Sequence, residues 1–127
     1  MKSMLTKILI IIASFLLPIK PLILLVGFLI ASDTMTGLWK MRKKNYKFSS
    51  RRLSSIISKF VLYEGAVLLF YGIEVFIMGD FILVFIKIPL VLTKVVCGVI
   101  AWTEIQSMGE NIYEATGVNI WSKIKGM

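Results

Sequence analysis

A chain of 127 residues has room for one domain, and at 57% hydrophobic residues with a mean hydropathy of +0.85 it carries more apolar side chains than a soluble domain of that size can hide. Fifteen Lys and Arg stand against seven Asp and Glu, a net charge of +8, with no histidine and one cysteine. Those absences exclude a zinc site, a serine–histidine triad, a histidine proton relay and a disulfide within one copy. The scattered carboxylates and the lack of a glycine-rich phosphate loop leave no catalytic, cofactor-binding or metal site, so no enzyme is expected.

The first apolar segment, Met4 to Leu17, is interrupted by Lys7 and ends at Pro18-Ile19-Lys20-Pro21, where two prolines in four residues predict a turn. At 1.5 Å per residue it reaches only about 21 Å, so it crosses a bilayer only if the bilayer thins or Pro18 is taken in as a kink; otherwise it lies in the interface. Lys2 and Lys7 before Ile8 to Leu17 look like a signal peptide, but no small-residue cleavage site follows.

The second segment, Leu22 to Leu38, holds Asp33 near one end. A carboxylate at that depth needs a cation, a donor or water. Local pairing with the basic stretch that follows is favoured over a role in conducting ions. That stretch, residues 39–59, carries Lys40, Arg42, Lys43, Lys44, Lys47, Arg51, Arg52 and Lys59 with no acidic residue, which marks a cytoplasmic loop of a multi-pass membrane protein. Its expected partner is the anionic headgroup layer. Nucleic acid is disfavoured despite Lys43-Lys44-Asn45-Tyr46-Lys47-Phe48, because both ends of the loop are pinned to the bilayer.

The third segment, Phe60 to Met78, carries Glu64 and Glu74; the fourth, Phe81 to Trp102, carries Lys87 and Lys94 with Pro89 between them. The intervening Gly79-Asp80 predicts a tight helical hairpin, which would set Glu74 opposite Lys87 and Glu64 opposite Lys94 as charge pairs at two depths. Gly65, Gly72 and Gly79 recur every seven residues, a stripe for close helix approach, and Lys94, Cys97, Gly98 and Ala101 form a small, polar face on the fourth segment. In the tail, residues 103–127, Ile105, Met108, Ile112 and Ala115 keep helical spacing, Gly117 predicts a helix stop and Asn119 a cap for a short turn bearing Ile120, Trp121 and Ile124. The predicted fold is an all-α integral membrane protein: one domain, 1–127, with three to four transmembrane helices in a small bundle, a cytoplasmic amphipathic C-terminal helix and both chain ends cytoplasmic.

Three clusters occur in order along this pattern: Asp33-Thr34-Met35-Thr36-Gly37, then Ser49-Ser50-Arg51 closing the basic stretch, then Glu104-Ile105-Gln106-Ser107-Met108-Gly109-Glu110-Asn111. Over residues 20–120 the chain resembles the toxin-secretion and phage-lysis holin family, whose pattern is an Asp-x-x-Thr-Gly, a basic loop with a Ser-Ser pair, and a Glu-x-x-Ser-x-x-Glu-Asn after the last span. The N-terminal segment lies outside the resemblance. It implies a phage protein of the host bacterial inner membrane that forms homo-oligomeric lesions and works with an endolysin to lyse the cell. Asp33, Thr36, Gly37, Ser49, Ser50, Glu104, Ser107, Glu110 and Asn111 are its motif residues. The other class to weigh is a non-lytic membrane scaffold, or a transporter or secretion subunit, although matched broken helices at a substrate site are missing.

Overall fold

A computed structural model describes residues 1–126, which are helical throughout apart from short connections. Helix α1 spans Lys2–Leu16, a single 3-10 turn covers Leu17–Ile19, and α2 spans Lys20–Lys43. No reversal occurs at Pro18 to Pro21, contrary to the sequence expectation. Each proline sits in the first turn of the element it opens, where its fixed φ suits a helix, and the helical path runs on for 42 residues. Helix α1 therefore does not fold back on α2. Its residues 2–14 are exposed, and only Phe15 and Leu16 reach the core.

The basic stretch is mostly helix as well. Lys40, Arg42 and Lys43 occupy the last turn of α2, where cations complement the helix dipole, and residues 44–49 alone connect to α3, Ser50–Ile73. Ser49 is its N-cap, accepting a hydrogen bond from the Arg52 amide at 3.2 Å.

The largest departure lies beyond α3. The helix continues through one π-helical segment, Glu74–Met78, into α4, Gly79–Phe85, and the chain reverses at residues 86–90 instead of at Gly79-Asp80. Gly79 has helical angles (φ −57°, ψ −49°), and a Cβ there would lie 2.5 Å from the Glu74 carbonyl oxygen. Glycine thus admits the wide turn's close backbone approach and ends nothing. The reversal instead uses extended Ile86, Pro89 and a left-handed Leu90 (φ 57°), proline disfavouring helix for the residue before it. The expected fourth segment is therefore split between α4 and α5.

Helix α5, Val91–Thr116, runs without a break into the expected tail and stops at Gly117, whose φ of +76° suits glycine. Asn119 then caps α6, Ile120–Lys125, accepting from the Ser122 amide at 3.2 Å.

Helices α2, α3 and α5 pack against one another. Their seams read Ile19 on the 3-10 turn and Val26, Ile30, Asp33, Gly37, Met41 on α2, and Thr93, Cys97, Ile100, Glu104, Asn111 on α5, steps of three, four or seven residues that keep one face inward. At one end this gives an apolar core of Ile19, Val26, Ile30, Val67, Tyr71, Cys97 and Ile100, with the Tyr71 hydroxyl donating to the Phe15 carbonyl. At the other end the same seams turn polar. Elsewhere the large apolar side chains face out: 6% of the most apolar stretch of α1–α2 and 17% of that of α3–α4 is buried, and both helices are long and apolar enough to cross a membrane. A soluble helix has the opposite distribution, with its apolar face hidden.

Candidate functional site

The polar end of the bundle brings together Asp33 of α2, Lys59 of α3, and Glu104 and Asn111 of α5. Asp33, Glu104 and Asn111 are 7%, 0% and 8% exposed, so their partners decide whether the bundle closes. The Lys59 ammonium hydrogen-bonds Asp33, lies 3.0 Å from Glu104 Oε1, and sits 5.8 Å from the centre of the Tyr63 ring. The Asn111 amide donates to Asp33 Oδ1 at 3.0 Å, to Thr36 Oγ1 at 3.1 Å and to the Asp33 carbonyl at 3.3 Å, while Thr36 donates to that same carbonyl at 2.9 Å. Glu104 is within ion-pair distance of Lys59, but among the described residues neither of its oxygens accepts a hydrogen bond.

Two buried acids on one lysine give the cluster a strongly asymmetric response to change. Removing one acid leaves a balanced pair, whereas removing Lys59 strands two carboxylates. Both acids are turned onto Lys59, and among the described residues no group of three acidic or cysteine side chains is placed to hold a metal ion. Asp33 does pair with the basic stretch, as the sequence suggested, through its last member.

Gly37 is the close-approach point: a Cβ there would lie 3.3 Å from Arg52 Nη2 and 3.6 Å from Asn111 Nδ2. Beside it opens a polar cavity of about 300 Å³ whose lining includes Asp33, Gly37, Arg52, Lys59, Ser107, Glu110 and Asn111. Seven motif residues, Asp33, Thr36, Gly37, Glu104, Ser107, Glu110 and Asn111, thus gather in or beside one site, while Ser49 and Ser50 only start α3. Farther out, Glu114 bridges Lys40 at 3.0 Å and Lys44 at 3.5 Å. The hydrogen bond from Lys40, its charge and that of Lys44 hold the Glu114 carboxyl below its ordinary value.

The expected intramembrane pairs do not form. Glu74, 3% exposed, accepts from the Leu92 amide at 2.8 Å, the Thr93 amide at 2.9 Å and the Thr93 hydroxyl at 2.6 Å, so it caps the N-terminus of α5, and among the described residues no acid pairs with Lys87. Moving the reversal to residues 86–90 slides the register and sets Glu74 against Leu92 and Thr93. Glu64 turns inward instead, its Oε1 lying 3.4 Å from where a Gly27 Cβ would be, while Lys94 is exposed on the outer face. The glycine stripe divides in the same way. A Cβ at Gly65 or Gly72 meets nothing within 4 Å, and the close approaches fall at Gly27 and Gly37, and at Gly109 against Trp121 Nε1 (3.0 Å).

Sequence reasoning missed the Glu74 cap and the Lys59 bridge as specific contacts. The signal for the bridge was the heptad step that carries the α5 seam from Ile100 through Glu104 to Asn111. Comparison with family models, with curated proteins and with solved structures finds no match to this chain, so its own geometry carries the functional reading.

Proposed function

We propose that this chain is a holin-like protein: it accumulates in a bacterial inner membrane, associates with further copies, and opens lesions that give an endolysin access to the cell wall. One observation carries this reading. Motif residues that resemble the holin pattern from opposite ends of the chain, Asp33 and Thr36 on one side and Asn111 on the other, meet in a single buried network, a coherence that chance similarity of scattered residues does not require.

In this reading α2, α3 and α5 cross the membrane, with the basic connection and the tail on the cytoplasmic side. Helix α1 lies on the opposite side, where the 3-10 turn at Leu17–Ile19 lets it tilt into the interface, because the α1–α2 path of about 63 Å is twice the roughly 30 Å hydrocarbon thickness; this reading puts the N-terminus outside, not in the cytoplasm as the sequence suggested. Lateral association is supported by open Gly65 and Gly72 and by Lys94, exposed on the outer face. Lys94 lies in the first turn of α5, near the outer reversal, where a neighbouring copy can cover its stem and partner its charge.

Induced expression in a bacterium tests the proposal. The expected result is an abrupt halt in respiration after a delay, with lysis only when a wall-degrading enzyme is present in the cytoplasm. Steady growth with an intact membrane potential at high membrane expression overturns it in favour of a non-lytic scaffold or a transport subunit.

A further inference from the structure

The cavity at the loop end of the bundle contains a cation with no counter-ion. Lys59 is held by Asp33 and Glu104, and Lys40 by Glu114, but among the described residues the Arg52 guanidinium has no carboxylate in ion-pair range and no hydrogen-bond acceptor. Arg52 is half-buried and reaches across from α3 to lie against Gly37 of α2, so its donors are held in the cavity. Ser55, three residues on, adds a hydroxyl to the same helix face. Glu110, the remaining acid in the lining, is exposed and beyond ion-pair range of Arg52.

Leu38 lines this cavity and also a second groove of about 450 Å³, mainly apolar, formed with Met35, Trp39, Met41, Tyr46 and Phe48 and with one cation, Arg42. Trp39, Tyr46 and Phe48 are 41%, 62% and 50% exposed, and the aromatic-rich groove sits where basic residues crowd the helix ends. An unpaired guanidinium beside an apolar, aromatic trough matches a ligand with an anionic head and a hydrocarbon tail.

We infer that the two cavities together bind one anionic phospholipid per protomer, its phosphate diester on Arg52 and Ser55 and an acyl chain over Leu38 into the Met35–Phe48 groove. The inference rests on the membrane orientation proposed above and not on lysis. A protein that binds the lipid and fails to lyse cells overturns the lytic reading alone.

The test is native mass spectrometry of the full chain in detergent micelles with phosphatidylglycerol, with phosphatidylcholine, or with phosphatidylglycerol plus excess inorganic phosphate. One phosphatidylglycerol per chain is expected to survive activation, phosphatidylcholine is lost, and inorganic phosphate does not displace the bound lipid. Arg52→Gln lowers retention about tenfold, the scale of one charge-assisted contact, while Arg51→Gln on the exposed neighbour leaves it unchanged. Ser55→Glu, which keeps Arg52 and alters only an exposed position, lowers it comparably; circular dichroism confirms that both variants stay helical. Equal retention of the two lipids, displacement by inorganic phosphate, or Arg52→Gln behaving as Arg51→Gln overturns the site.

Discussion

Asn111 holds Asp33 from 78 positions away, its amide 3.0 Å from the Asp33 carboxylate and 3.3 Å from the Asp33 carbonyl. That pair ties the last turns of α5 to the last turns of α2, and Lys59 locks α3 onto the same carboxylate. Substitutions in the cluster therefore have a definite order of severity. Lys59→Met strands two buried acids and should destabilise by about 3–5 kcal/mol. Asn111→Ala, which removes one neutral donor group, should cost about 1–3 kcal/mol, and Asp33→Asn should cost less than Lys59→Met because Lys59 keeps Glu104. Thermal unfolding in micelles ranks the three; Asp33→Asn falling below Lys59→Met would show that the charge count does not govern the cluster.

Glu74 supplies the acceptor for the first amides of α5, a position that a local N-cap residue usually fills. Glu74→Leu should raise amide exchange at Leu92 and Thr93 and lower stability by about 1–3 kcal/mol. Thr93→Val, which loses the hydroxyl bond alone, should cost about 0.5–1.5 kcal/mol. Cross-linking gives an independent check. A cysteine at Glu74 should react with one at Leu92 and not with one at Lys87.

Three glycines separate packing from conformation. Gly79→Ala places a Cβ 2.5 Å from backbone, so the π-helical segment must rearrange, visible as changed exchange across residues 74–79. Gly37→Val pushes on Arg52 and Asn111 and should weaken the polar cluster and the lipid site together. Gly65→Ala, with open space around it, should stabilise the protomer by about 0.5–1 kcal/mol through helix propensity, and any delay it causes in lysis reports a contact between copies.

The Glu114 bridge to Lys40 and Lys44 should be pH- and salt-dependent. The carboxyl titrates lower in the folded chain than in the unfolded one, so its contribution is complete above the unfolded value and is lost as pH falls through the folded one. Limited proteolysis near Gly117 should accelerate over that acidic window and in high salt. Glu114→Gln should cut equally fast at neutral and acidic pH.

Local chemistry was legible in the residues. Asn119 accepts from the amide three residues ahead, and Gly117 takes the left-handed angle that ends a helix. Each of these features is satisfied within one turn, so nearby sequence suffices to recognise it. The apolar character of the segments and the charge of the basic stretch were likewise readable from composition, but not the split of the fourth segment or the helix that takes up most of the stretch. The prolines and Gly79 misled because a breaker's effect depends on its place in the helix. Pro18 and Pro21 fall in opening turns and are harmless, whereas Pro89, among residues 86–90, lies where the chain reverses. Only the tertiary structure decided which partner each buried charge takes. Moving one reversal by a few residues changes the depth and rotation of every position beyond it, and so Glu74 meets the start of α5 while Asp33 meets Lys59 and Asn111.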